Sequence, residues 1–218
     1  MTPEELALRS AIVEGCLAMS RLGINKGTAG NISARCDGGL LITPTGVAYE
    51  RLTPGMIVRM RWDASYDGDL LPSSEWRFHR DILRARPELN AVVHTHSTFA
   101  TAVSILGRDI PAIHYMIASS GADRIRCAPY EVFGSEALAQ RALEALEGRR
   151  ACLLEHHGVI AAHGSIERAL ALAVTVEELA HQYLTLLPLG EPPVLSAEQI
   201  AAVLDKFRTY GQQPRQAG

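Results

Sequence analysis

Lysine is nearly absent from this chain. Lys26 and Lys206 are the only two among 21 basic residues, and neither lies in an apolar pocket pattern. Chemistry that runs through a Schiff-base lysine is therefore not expected, because such an amine needs burial or a cationic neighbour to lose its proton. Cysteine is scarce and scattered: Cys16, Cys36, Cys127 and Cys152 form no C-x-x-C pair. Cys16 and Cys152 sit among apolar residues and suit small buried hydrophobes, so a reduced chain is expected. No apolar run is long and unbroken enough to span a bilayer. No signal peptide is expected, because Thr2-Pro3-Glu4-Glu5 resembles a capping box, with proline in the first helical turn. A cytoplasmic protein is the expectation. A net charge of −3 and a pI near 6.2 give no electrostatic argument for nucleic acid or an anionic membrane as partner. Nucleotide-type phosphate signatures are missing too, with neither a Walker motif nor G-x-G-x-x-G present.

What is there has the texture of an ordinary globular domain. At 218 residues, with 47% hydrophobic and 21% charged residues, one domain can bury a full core. From Glu4 to Leu22, Leu6, Ile12, Val13, Cys16, Leu17 and Met19 recur at helical spacing, and Gly23 stops the helix. Ile32–Arg35 and Leu40–Thr43 read as a hairpin turned by Asp37-Gly38-Gly39, and Ile57–Trp62 as a further strand. Ser73 or Ser74 is expected to cap a helix running to about Arg86, ahead of Pro87. A strand over Ala91–His96, a helix from about Phe99 to Leu106 and a loop rich in Pro, His and Tyr follow. Ser135–Leu146 reads as helix, Cys152–Leu154 and Val159–Ala162 as extended, and Ile166–Leu187 as a long apolar helix. Ser196 with Gln199 makes another capping box, opening a last helix to about Phe207. Irregular alternation with hairpins favours a single-domain α/β (α+β-like) sandwich, with a mixed, mainly antiparallel sheet flanked by helices. The expected division is a domain over 1–210 and a mobile tail over 211–218.

Histidine carries the strongest chemical signal. His94 and His96 close the apolar run that starts at Asn90, and strand alternation sends both from one face, able to grip one ion. His156-His157-Gly158 follows the apolar run Ala151–Leu154. Adjacent strand residues point to opposite faces, so only one of His156 and His157 is expected to join, and spacing does not say which. Three neutral imidazoles would leave a coordination position open for chemistry. Glu75 offers a carboxylate near a helix start. His79, His114, His163 and His181 lack such patterning, and His114, beside Tyr115, is placed to line a site without binding an ion.

Three segments could hold an anion without a nucleotide motif: Gly27-Thr28-Ala29-Gly30-Asn31, Thr43-Pro44-Thr45-Gly46 and Ser73-Ser74. Glycines admit close backbone approach, hydroxyls and amides donate, and a helix N-terminus is partly positive. Each alone reads more readily as a turn or a cap.

Taken in order, Asn25–Asn31, Ile42–Gly46, Leu71–Glu75, His94-Thr95-His96 and His156-His157-Gly158 resemble the class II aldolase/adducin family. The resemblance extends through Ile110–Met116 and Lys206–Gly211 and covers essentially the whole chain. It implies one Zn2+ per subunit, held by His94, His96 and His157, with Glu75 able to approach the metal and acting as base. It implies a phosphate pocket of Asn31, Thr45, Gly46, Ser73 and Ser74, with Thr28 and Gly30 nearby. Tyr115 matches a proton-donating tyrosine that reaches the site across a subunit boundary, and Tyr210 a tail tyrosine that helps close it. Such family members are fourfold-symmetric homotetramers with sites between subunits. The implied reaction is cleavage of a ketose 1-phosphate between C3 and C4, with zinc on the C2 and C3 oxygens spreading the charge into an enediolate.

The family also contains pentulose-phosphate 4-epimerases, which usually carry Asp where Glu75 stands, and a cytoskeletal head domain without the metal histidines. Glu75 and all three histidines favour an aldolase over both. An aldolase for a different ketose 1-phosphate, such as a 5-deoxypentulose 1-phosphate, is a further alternative that the resemblance leaves open. Two departures bear on the choice of sugar: Lys26 stands where a neutral glutamine is expected, and Ala118-Ser119-Ser120-Gly121 is less uniformly small and apolar than expected.

Overall fold

The computed structural model describes residues 1–209, so Tyr210 and the 211–218 tail lie outside the described residues. In chain order the elements are α1 (Pro3–Arg21), β1 (Asn31–Cys36), β2 (Gly39–Ile42), β3 (Val58–Arg61), α2 (Trp76–Ala85), β4 (Ala91–Thr95) and α3 (Thr98–Ile105). They continue with β5 (Arg126–Ala128), α4 (Glu136–Ala145), β6 (Ala151–Leu154), β7 (Gly158–His163), α5 (Ile166–Leu186) and α6 (Ala197–Arg208). The seven strands form one sheet in the order β3-β2-β1-β4-β7-β6-β5. Every neighbouring pair is antiparallel except β5 with β6.

Strand alternation sorts the core into two layers. Ile32, Ala34, Leu41, Val93, Leu153, Val159 and Ala161 pack on one side with α1 and α5. Leu40, Ile42, Val92, Cys152, Leu154 and Ile160 face the other side, towards Phe78, Ile82 and Leu83 of α2 and Leu138 and Ala142 of α4. Burying Phe78 alone contributes about 1.5–3 kcal/mol. This α/β/α sandwich is the mixed, mainly antiparallel arrangement expected from the sequence.

Side-chain caps open four of the six described α-helices. Thr2, Ser135, Ser165 and Ser196 each accept from a backbone N–H of the first turn; Ser196 with Gln199 forms the expected reciprocal box, whereas at Thr2 only the half from Glu5 N is formed. At α2 the expectation fails. Glu75 occupies the N-cap position without a side-chain cap bond, and neither Ser73 nor Ser74 caps the helix. Ser73 instead builds the preceding turn: its carbonyl accepts from Trp76 N at 3.0 Å and its hydroxyl from Glu75 N at 3.3 Å. The first hairpin turns on Asp37-Gly38 alone, since Gly39 is already paired with Cys36. A side chain at Gly39 would stand 2.0 Å from the Met60 carbonyl oxygen, which explains why that strand position is glycine. Strand β5 was not anticipated, and the Pro-, His- and Tyr-rich loop contains a 3-10 segment over Tyr115–Ser120.

Helix α3 has a cap borrowed from another helix. Ser97 sits at its N-cap without a side-chain cap bond, and Glu177 of α5 accepts from Phe99 N at 2.9 Å and Ala100 N at 2.8 Å. A carboxylate there satisfies orphan donors and meets the positive helix end. Replacing Glu177 with alanine should cost about 1–2 kcal/mol, read as a lower urea midpoint. An unchanged midpoint would mean that water replaces the carboxylate without loss.

Candidate active site

The register of β4 with its two neighbours assembles the site. Asn31 of β1 lies opposite His94, and Ile160 of β7 lies opposite it on the other side. Ile32 and Ala34 point into the α1/α5 layer, so Asn31 and Ser33 face α2 together with His94. Thr95 pairs with Val159, which brings the β6–β7 turn beside His96. Glycine at 158 makes this approach feasible: an added Cβ would lie 2.4 Å from the Thr95 carbonyl oxygen and within 3.4 Å of the His94 and His96 rings. Gly30 does the same across β4, where a Cβ would lie 2.6 Å from the His94 carbonyl oxygen.

His156 and His157 lie in a turn, so strand alternation is not what separates them. His156 has φ +53° and turns its ring outward against Tyr130, while His157 turns inward. The rings of His94, His96 and His157 then meet edge to face, with centroids 4.8–4.9 Å apart. Glu75, entering from the head of α2, is 5% exposed. Its Oε2 lies 3.2 Å from His94 Nε2 and its Oε1 lies 3.0 Å from His157 Nε2. One ligand atom from each of the four residues falls within 4.8 Å of all the others.

The donor set of this cluster suits a cation. A carbonyl can only accept, so His94 Nδ1–H donates to Val159 O at 2.8 Å and turns Nε2 into the cluster, where it offers a lone pair whenever the ring is neutral. That lone pair looks at His96 Nε2 at 2.9 Å and at the Glu75 carboxylate. Burial, reinforced by His94 and His157, pushes the His96 imidazole down to about 3, so it is neutral at pH 7. Burial alone would raise the Glu75 pKa, but His94 and His157 outweigh it and hold the carboxyl well below the usual range. Protons can bridge these groups only in pairs, whereas one divalent ion could engage all four at once, and three imidazoles with one carboxylate suit it.

Two braces that sequence reasoning missed hold the cluster. Asn25 Oδ1 accepts from His96 N at 3.1 Å, while its Nδ2 donates to Tyr49 Oη at 2.9 Å; Tyr49 in turn donates to the Gly30 carbonyl. His79 is fully buried on α2, its ring stacked on Phe78, and it bonds both Ser33 and Asn31. Burial, with His94 nearby, pushes its imidazole down to about 3. The available signal was spacing: Glu75 and His79 are four residues apart and share a helical face.

The anion-type segments meet beside this cluster. Thr45 N donates to Leu71 O at 3.1 Å and Ser73 N to Thr43 O at 2.9 Å, stitching the Thr43–Gly46 turn to the chain leading into Glu75. Thr28, Thr45, Gly46 and Ser74 are exposed, whereas Gly30, Asn31 and Ser73 are buried. Asn31 divides its amide between Glu75 Oε2 and His79. Tyr115 is half exposed with its ring tilted on His114 at 4.7 Å, and among the described residues it makes no hydrogen bond or ring contact with the cluster. His181 stacks on Phe99 at 3.8 Å, away from the metal-type donors.

Residues 10–184 match the Class II Aldolase and Adducin N-terminal domain. The L-fuculose phosphate aldolase of Escherichia coli (strain K12) is 53% identical over 209 residues, covering 95% of this chain and 97% of that one. A 5-methylthioribulose-1-phosphate/5-deoxyribulose-1-phosphate aldolase of Rhodospirillum rubrum is 49% identical over 211 residues, covering 97% of this chain and 96% of that one. A solved L-fuculose 1-phosphate aldolase matches the fold with a TM-score of 0.91 at 32% identity, covering 95% of this chain and 98% of its own. Fold, site and similarity together define an aldolase, a lyase of the class that uses a divalent metal. The chain belongs to the class II aldolase/adducin family.

The Gly158→Ala variant should lose most of its metal, because the new methyl group must push Thr95, and with it His96, out of register. Metal analysis of the purified variant checks this; full occupancy would mean the turn relaxes around the methyl.

Proposed function

We propose that this chain is a zinc-dependent aldolase that reversibly cleaves L-fuculose 1-phosphate to dihydroxyacetone phosphate and L-lactaldehyde. The observation that carries the reading is the convergence of His94, His96, His157 and Glu75 on one point of the sheet face. His94, His96 and His157 hold the zinc. Bound there, the ion supplies a Lewis acid for the negative charge that develops beside the ketone. Glu75, ionised and buried against the histidines, serves as base. In the synthetic direction it takes a proton from the hydroxymethyl carbon of dihydroxyacetone phosphate. The substrate phosphate rests on the stitched segments: Thr45, Gly46, Ser73 and Ser74 donate, with Thr28 and Gly30 at the margin. These groups flank the start of α2, whose first N–H groups have no side-chain cap. Asn31 belongs to the same pocket by resemblance, and its side chain also donates to Glu75 Oε2 and faces His79.

Tyr115 supplies the proton exchanged with the C4 hydroxyl. By the family resemblance it acts in a neighbouring subunit's site within a homotetramer. Tyr210, outside the described residues, closes that site from the tail. A cytoplasmic location fits this reading, and among the described residues no helix is long and apolar enough to cross a membrane.

A second substrate is favoured by a specific finding: the Rhodospirillum rubrum relative at 49% identity is a 5-methylthioribulose-1-phosphate/5-deoxyribulose-1-phosphate aldolase. The two sugars are separated by following dihydroxyacetone phosphate release from L-fuculose 1-phosphate and from 5-deoxy-D-ribulose 1-phosphate. Chelator should abolish release and added zinc restore it. Faster turnover of the deoxypentulose phosphate would reassign the substrate, and chelator-resistant release would overturn the metal's role. Glu75→Gln should retain zinc and slow cleavage by about 10²–10⁴-fold; a fully active variant would remove Glu75 as base. Tyr115→Phe should lower turnover without changing zinc content, and unchanged kinetics would reassign the proton donor.

A further inference from the structure

Behind the proposed base lies a directed chain of hydrogen bonds that the reaction as described does not use. Ser33, His79, Asn31 and Glu75 are each between 0% and 5% exposed, so water does not supply their partners. An ionised carboxylate can only accept, so Asn31 must present its Nδ2–H to Glu75 Oε2, at 2.9 Å. That choice leaves Asn31 Oδ1 turned towards His79 Nε2, and an amide oxygen can only accept as well. His79 Nε2 therefore carries the proton. Its Nδ1 then has a lone pair and accepts from the Ser33 hydroxyl at 2.7 Å. Each member fixes the orientation of the next, and the chain ends on the carboxylate.

We propose that His79 is a positioning residue, which through Asn31 holds the Glu75 carboxylate in the orientation that proton abstraction requires. The proposal rests on the aldolase reading and goes beyond it, since it assigns a role to a buried side chain that touches neither metal nor substrate. An amide left free could rotate and set Oδ1 against Oε2, oxygen against oxygen. His79 blocks that rotation by occupying Oδ1. Phe78 stacks on the imidazole at 4.7 Å and keeps its plane fixed. The same helix thus carries the base at its head and, one turn later, the group that orients it.

The test compares wild type with His79→Phe and His79→Gln. Phenylalanine keeps a ring against Phe78 but has no donor; glutamine can return an N–H to roughly the Nε2 position. Two activities are measured: solvent exchange of the hydroxymethyl proton of dihydroxyacetone phosphate in deuterated water, and kcat and KM for ketose 1-phosphate cleavage. Zinc content and melting temperature are measured beside them. H79F should lose about 10- to 100-fold in exchange and in kcat, while KM and zinc content stay near wild type. H79Q should recover most of that loss. A merely structural histidine would instead lower zinc content, stability and KM-related binding together, without rescue by glutamine. H79F exchanging within about threefold of wild type would overturn the proposal. If H79F does not fold, Ser33→Ala breaks the chain at its far end; it should slow exchange in the same direction, and wild-type exchange in S33A would overturn the proposal equally. A wild-type protein that neither cleaves nor exchanges would sink the aldolase reading and this role with it. That result is separate from an active wild type with an unaffected H79F, which removes only the positioning role.

Discussion

Four metal-type ligands brought to one point organise this molecule. Three imidazole nitrogens and a carboxylate lie within 4.8 Å of one another, close enough for one ion to engage all four at once. Water could compete for such a cluster at the surface, but here the Glu75 and His94 side chains are 6% and 0% exposed. The fold holds the donors together by packing alone, through the β1–β4–β7 register and two glycines that let backbone touch backbone. A cation bound there would meet ligands that folding has already brought together, so little ordering would remain to be done on binding.

Much of this was legible in the sequence, and the failures have physical causes. His94-Thr95-His96 could be read because a strand repeats every two residues, so two identical side chains at that spacing must share a face. His157 was narrowed to one of two by alternation, whereas the structure separates the pair by a turn in which His156 adopts positive φ. Ser73 and Ser74 looked like helix caps because serine before an apolar run usually is one. The chain uses Ser73 to shape the turn that delivers Glu75. Strand β5 was invisible because Arg126-Cys127-Ala128 is too short to alternate and gains its pairing from β6. His79, Asn25 and Tyr49 were passed over for a common reason: their partners are distant in sequence, and a buried polar side chain announces itself only when its partners are known.

The site is asymmetric in a way that suits its proposed task. On the α2 side it is closed, filled by Phe78, His79 and Asn31. On the loop side lie the partly buried His96 and His157, and Thr28, Thr45, Gly46 and Ser74 are exposed. The supporting groups are thus packed in the core, and those proposed to meet a charged substrate lie where solvent can reach them. Glu75 stands at the junction, its carboxylate in the closed half and its backbone in the turn on the loop side.

The shortage of lysine acquires a practical meaning once the fold is known. Lys26 is exposed in the loop that begins with Ile24 and Asn25, next to the residue whose side chain holds the His96 backbone. Lys206 lies on the solvent side of α6. Amine-directed reagents therefore meet only two lysine side chains among the 21 basic residues. One of them is a single residue removed from the side chain that holds the His96 backbone, so a fluorophore attached at Lys26 would sit beside the support of the histidine cluster while arginine carries the rest of the protein's positive charge undisturbed.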